Sequence, residues 1–288
     1  MQMNIVDAQV HMGPGRIDEM LAAMDAVGVA AIVIDEYWVA TMRGDPQHVL
    51  ANGAARPVSP TAELASQLHP RRFSYLQKVA RDDPDLAAFV RISRDAPGCR
   101  ALRISPGMSP AEGDAFASGG YDHVLAASAE AGLPIFVFAP DRSSAFARAA
   151  EAFPGLRIII DHCGIYSNSM RTGFAGLPAL SGEEQLAMFG EVCALARYPN
   201  LALKWGHASG HFATPAWPGE QLWPILRRAI GGFGAERVMW ASDHSVNQRG
   251  ESWAELLFGV LGNPDLTQVE REWVLGKALR TWLDWPAV

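Results

Sequence analysis

The chain has 288 residues, 49% of them hydrophobic, and a formal charge of −7. That length fits one large domain or two small ones, and with no Lys/Arg run or basic face it offers nucleic acid no surface. Three scattered cysteines without a CxxC pair give neither a disulfide framework nor a zinc-thiolate cluster, and no run of about eighteen apolar residues provides a membrane span.

Residues 4–11 run from apolar to polar and predict a first strand that ends on His11. No charged segment followed by an apolar one precedes it, so no signal peptide is expected and the cytoplasm is the default location. Ile17, Met20, Leu21, Met24 and Val27 recur at helical spacing over 16–27, and Gly28 supplies a stop. Residues 30–34 form a short buried strand leading into Asp35-Glu36-Tyr37-Trp38. Residues 39–60 lack periodicity and read as a long loop, of the kind that is usually functional or mobile.

A helix at 61–68 precedes a strand at 73–79. Asp82-Asp-Pro84 starts a helix over 85–95, because Asp caps and Pro suits the first turn. A strand at 99–104 carries Arg103, residues 106–119 read as loop, and a helix at 120–131 ends at Gly132. Then come a strand at 134–139, a helix at 142–152, a strand at 156–161 and a Gly/Ser-rich loop at 164–182. A helix at 183–196 leads to a strand at 201–205. A loop at 206–219 holds His207 and His211, four residues apart. A helix at 219–231, a strand at 237–242 and helices at 251–261 and 267–283 complete the chain.

Eight strands alternating with helices predict a parallel sheet, and eight is the closing number of a (β/α)8 TIM barrel in one domain spanning 1–288. A doubly wound open sheet is the alternative. Neither a GxGxxG turn nor a P-loop supports a nucleotide site. Barrel enzymes carry their chemistry at the strands' C-terminal ends, where His11, His162 and Asp243 stand.

Three stretches also carry a family likeness. Asp7-Ala-Gln9-Val-His11, Asp161-His162-Cys-Gly164 and Arg237-Val-Met-Trp-Ala-Ser-Asp243 resemble signatures of the amidohydrolase superfamily. The nearer match is its amidohydrolase-related branch of TIM-barrel hydrolases, which includes sugar lactonases and pyrone-dicarboxylate lactonase. Val274-Leu-Gly276-Lys-Ala-Leu-Arg280 looks like that branch's closing helix. The likeness implies a metal held by a first-strand Asp-x-His-x-His and a fifth-strand His. Here Gln9 and Phe138 replace two of those donors, leaving His11, His162 and Asp243. One zinc or manganese ion, or none, is consistent with that set.

The expected reaction is hydrolysis of a cyclic ester or amide, such as a lactone of a small carboxylated metabolite. Asp243 would activate water as a general base. His162 and His11 would hold or polarise the carbonyl, and Gln9 would bind a carbonyl or water. Arg103 would take a carboxylate with its fixed fork of donors, or else form a salt bridge across the barrel. Lys204 would polarise a carbonyl, or lie exposed. His207 and His211 would contact substrate, substitute as a metal pair, or be solvated. Phe138, Tyr37, Trp38 and Trp205 would line an apolar mouth. Side chains alternate along a strand, so an inward His162 implies that Asp161 faces the helices.

Two alternatives remain: a metal-dependent decarboxylase of an aromatic or unsaturated acid, and a barrel that binds a small molecule without turning it over. A small molecule is the expected partner, with no nucleic acid and no membrane. Tryptophans 273, 282 and 285 pack either on the barrel or on a second subunit of a homo-oligomer.

Overall fold

Each short apolar run in the sequence becomes a strand with helices packed outside it. The computed structural model describes residues 3–37, 46–246 and 249–286. The strands are β1 (Val6–Val10), β2 (Ala31–Ile34), β3 (Phe73–Lys78), β4 (Cys99–Ile104), β5 (Ile135–Val137), β6 (Ile158–Ile160), β7 (Leu201–Gly206) and β8 (Val238–Ala241). They pair in parallel in that order. This is the (β/α)8 barrel, nearly closed.

Alternation sorts the strand residues into two cores. Val6, Ala8, Val33, Leu76, Ala101, Phe136, Ile159, Ala202, Met239 and Ala241 fill the barrel. Their neighbours, such as Ile32, Ile34, Leu102, Ile160 and Leu203, face the helices. Leu279, Trp282, Leu283 and Trp285 join the inner cluster, and Trp273 packs against it. The C-terminal tryptophans therefore pack on the barrel. Removing that apolar area from water contributes roughly 25 cal/mol per Å².

Four stretches expected as loop carry structure. The described part of 39–60 holds an antiparallel hairpin, Gln47–Val49 with Ala55–Pro57. Pro110–Ala117 is a helix, because Ser109 accepts from Glu112 N and Pro110 suits the first turn. Asn168–Gly173 and Ala208–His211 are also short helices. The long C-terminal helix is broken at Trp273–Lys277. There the chain passes so close to the first strand that a Cβ on Gly276 would lie 2.3 Å from Asn4 O.

The seam between β1 and β8 is joined by one carboxylate. Asp7 accepts from Gln9 N (3.1 Å), Ser242 N (2.9 Å) and Trp253 Nε1 (2.8 Å). Asp243 N also donates to Gln9 O at 3.0 Å. Asp7 is fully buried, and burial pushes its carboxyl up to about 6 against the pull of its donors. Asp7→Ala leaves three buried donors unpaired and is expected to destabilise the chain by about 3 kcal/mol or more. Trp253→Phe removes one bond and should cost about 1 kcal/mol. Chemical denaturation of the two variants checks the order.

Candidate active site

Beyond the last ladder residues of β6, β7 and β8 the backbone turns left-handed in residues that are not glycine. His162, Cys163, His207 and Asp243 have φ of 49°, 58°, 52° and 50°. Each such residue costs on the order of 1 kcal/mol, so the surrounding structure must hold it there. The turn breaks strand alternation and brings side chains of both parities to the mouth. Asp161, two residues beyond the inward Ile159, points into the barrel, and the next residue, His162, is turned in beside it. The expectation that Asp161 faces the helices is thus corrected: alternation stops where the strand stops.

Asp243 is 1% exposed and stands at the centre. Its Oδ1 faces His11 Nε2 at 3.0 Å, and its Oδ2 faces His207 Nε2 at 2.9 Å and His162 Nε2 at 3.8 Å. Burial disfavours its charge, but His11 and His207 outweigh that and hold the carboxyl well below the usual range. His11 Nδ1 lies 2.7 Å from the carbonyl oxygen of Asp35, which can only accept. The ring proton of a neutral His11 therefore sits on Nδ1, and its Nε2 accepts from the Gln9 amide nitrogen at 3.1 Å; facing the ionised Asp243 at 3.0 Å, Nε2 is attracted to it only when it carries a proton of its own. Burial lowers His11 and His162 from the ordinary histidine value and takes His211 down to about 3.

Below Asp243 lies a lattice of buried ions. Arg103 binds Asp161 through Nε at 2.9 Å, Asp35 through Nη1, and approaches His162 Nε2 with Nη2 at 3.4 Å. Lys204 Nζ binds Gln9 Oε1 and lies 2.7 Å from Asp161 Oδ1. Lys78 Nζ lies 3.0 Å from Asp35 Oδ1. Three carboxylates, Asp35, Asp161 and Asp243, meet three cations. Burial lowers the Lys204 ammonium, and its neighbouring carboxylates oppose that.

Several sequence expectations change here. Arg103 spends its fork across the barrel on Asp35 and Asp161, which is the salt-bridge alternative, so it is not presented to a substrate carboxylate. Lys204 is 0% exposed rather than a solvated strand terminus, because it shares the inward face with Ala202. Trp205 then has to point outward. It stacks on Phe212 at 5.9 Å and lies away from the mouth, in the helix layer. His211 is 1% exposed, neither a solvated loop residue nor open to substrate. Both its ring nitrogens lack hydrogen-bond partners, and the one-turn helix sets its ring 6.4 Å from His207 and 6.0 Å from His162.

Phe138 stands edge-on to His162 at 5.2 Å, and Tyr37 lies 5.6 Å from His11, so both line the site. Trp38 lies outside the described residues. Asp35 and Lys78 carry no role in the sequence reading, which turns Asp161 away from the site. Their signal was positional, each polar at the end of an apolar strand.

The metal set implied by the first-strand pair and a fifth-strand His does not assemble. The Gln9 carbonyl faces an ammonium, which repels a divalent ion, and Phe138 offers no donor.

A family model described as Amidohydrolase matches residues 6–282. The chain belongs to the amidohydrolase family. A search of curated proteins finds no match. Among solved structures, this amidohydrolase barrel is similar to a zinc-bound amidohydrolase from Burkholderia multivorans (TM-score 0.72, 16% identity, 98% of this chain and 100% of that one). It is also similar to a putative 2-pyrone-4,6-dicarboxylic acid hydrolase from Pseudomonas putida (0.69, 17%, 99% of each chain). A third is 5-carboxyvanillate decarboxylase from Sphingomonas paucimobilis (0.64, 16%, 98% and 99%). At these identities the likeness is one of fold.

Two stability outcomes follow. Lys204→Met takes one of two cations from the buried Asp161 and leaves Gln9 Oε1 unpaired, and should cost about 3 kcal/mol, read as a lowered denaturation midpoint. His211 is neutral in the fold but takes a proton below about 6.5 when unfolded. Its contribution is whole above that value and is lost as pH falls toward about 3. From pH 7.5 to pH 5 in chelator the loss should reach on the order of 2 kcal/mol. His211→Phe should flatten that slope in denaturation curves taken at both pH values.

Proposed function

We propose that the chain hydrolyses the ring ester of a small carboxylated organic acid, with Asp243 as general base. The observation that carries this reading is a buried, ionised Asp243 whose two oxygens are divided between His11 and His207 at the barrel mouth.

A water beside Oδ1 loses its proton to Asp243 as it attacks the ring carbonyl. His207 holds Oδ2, which leaves Oδ1 to take that proton. The His11 Nε2 lone pair, 3.0 Å from Oδ1, receives the proton next and passes it to the alkoxide as the ring C–O bond breaks. The Nδ1–H to the Asp35 carbonyl fixes the ring for that transfer. His162 and the adjacent Arg103 Nη2 lie where they can favour negative charge on the carbonyl oxygen. Of the three cations Lys78 is the most exposed, at 15% against 7% and 0%, and supplies attraction for a substrate carboxylate. Phe138 and Tyr37 provide flat apolar walls.

The neighbour described as a 2-pyrone-4,6-dicarboxylic acid hydrolase makes that dicarboxylate the first compound to test, beside simple lactones. Product analysis separates this reading from decarboxylation, since ring opening consumes water and releases no carbon dioxide. Asp243→Asn should lower kcat about 10²–10⁴-fold on any lactone turned over. Undiminished turnover would remove Asp243 from the mechanism.

The pH profile follows from the same site. Asp243 is depressed and must be ionised to act, so kcat/KM should hold as pH falls through the ordinary carboxylate range, until the fold is lost. His11 and His162 are lowered, so neither should place a break near about 6.5. A rate profile taken from about pH 4 to about pH 8, across the ordinary carboxylate and histidine values, checks both.

A further inference from the structure

The end of the barrel away from Asp243 carries an open cavity of about 520 Å³. The segments that enter β1, β2 and β3 line it, together with the end of the helix Ile17–Val27 and Arg280 of the helix Ala278–Trp282. Its charged groups are Asp25, Arg71, Arg72 and Arg280, a local excess of cations in a chain of net charge −7. Arg280 is 7% exposed and pairs with no carboxylate among the described residues. Its Nε donates to Asn4 Oδ1 at 2.8 Å, its Nη1 donates to the Pro286 carbonyl at 2.9 Å, and the group stacks on Trp285 at 4.7 Å. Its Nη2 is buried without a hydrogen-bond partner. Arg72 donates through Nη2 to Asp25 Oδ1 at 2.7 Å, and its Nε is likewise buried and unpartnered. Arg71 is exposed and makes no ion pair among the described residues. A buried guanidinium held only by neutral acceptors is costly, and an arriving anion relieves that cost.

We propose that this face of the barrel binds a phosphate group, free or carried on a small organic molecule, through Arg71, Arg72 and Arg280 with Asn4. The site lies at the strands' N-terminal ends, opposite the reactive cluster, and stands whichever bond the chain breaks there.

Charge and shape select the ligand. Asp25 cancels one of the three positive charges, and the negative end of the helix Ile17–Val27 offsets about half of another. The roughly one to two charges that remain match a phosphate monoester, at about −1.5 to −2 near neutral pH. Each guanidinium is a planar fork suited to phosphate oxygens. Asn4, with its Oδ1 on Arg280, keeps its amide nitrogen as a further donor. The cavity exceeds what inorganic phosphate fills, so it has room for an organic body of sugar size. A bound ligand joins the entries to β1 and β3 to the closing helix, so binding also stabilises the closed barrel.

The test titrates the full chain with inorganic phosphate and with ribose 5-phosphate at low, fixed ionic strength, read by calorimetry and by the denaturation midpoint. The expected result is one phosphate group per chain and a raised midpoint. Tighter binding of the ester assigns the site to an organic phosphate, and equal or weaker binding assigns it to the free ion. Arg71→Ala changes an exposed side chain, so the fold should tolerate it, and it should weaken binding about 10-fold. Asp25→Asn, at a carboxylate that is 68% exposed, frees Arg72 and removes the competing charge, so it should tighten binding about 3-fold. Arg280→Lys keeps the charge but loses the fork, and should weaken binding about 10-fold. Arg16→Ala, an exposed arginine at the other end of the helix Ile17–Val27, should leave binding intact. Circular dichroism confirms that each variant is folded, and the exposed positions decide the matter if Arg280→Lys is not. Absence of stoichiometric binding would overturn the proposal. So would affinity unchanged in both Arg71→Ala and Asp25→Asn, or weakened as much in Arg16→Ala as in Arg71→Ala.

Discussion

Everything at the mouth of this barrel rests on charge neutrality in a place almost shut off from water. Asp35, Asp161 and Asp243 are each 0–1% exposed, and burying one carboxylate unpaired would cost several kcal/mol. Lys78, Arg103 and Lys204 answer them, each from the end of a different strand. Arg103 holds Asp35 from β2 and Asp161 from β6 at once, so it fixes the separation of distant parts of the barrel. Lys204 joins Asp161 to Gln9 and so ties β7 to β6 and β1. These ions have little freedom to leave for a ligand. They serve as a rigid floor, and the groups with freedom to react stand above it: Asp243, His11 and His207.

The fold was legible because it depends on periodicity. Apolar runs separated by helical stretches gave all eight strands in order, with the strand at 99–104 matching its observed bounds. Short helices inside connecting segments were harder, since six residues give no period to detect. Ser109-Pro-Ala-Glu112 carried a start signal of its own, a capping serine three residues ahead of a glutamate, and read as loop only because the run after it was short.

The site was legible in part. His11, His162 and Asp243 stood out as polar endings of apolar strands, and the structure brings them together. What the sequence could not convey is direction past the end of a strand. Parity correctly predicts that Lys204 points in, which forces Trp205 out. Parity fails at Asp161 and His162, because a left-handed turn lets consecutive residues share one side. The pairing of Arg103 with two carboxylates rather than with a ligand was equally hidden: Asp35 and Asp161 lie 68 and 58 residues away along the chain. His211 looked like a solvated loop histidine because nothing local announces that the helix carrying Gln185 will pack against its turn.

Asp7 has a consequence for the order in which the molecule is made. Its partners, Ser242 and Trp253, lie 235 and 246 residues further along the chain, and Gly276 must later reach the first strand. Such contacts form late because closing so large a loop is slow. During synthesis the first strand therefore waits, its acid and its half of the reactive cluster exposed, until nearly the whole polypeptide has left the ribosome. A shortened chain ending before the eighth strand would keep most of the helices and sheet and possess no Asp243 at all. Assembly of the reactive centre and completion of the barrel are one event.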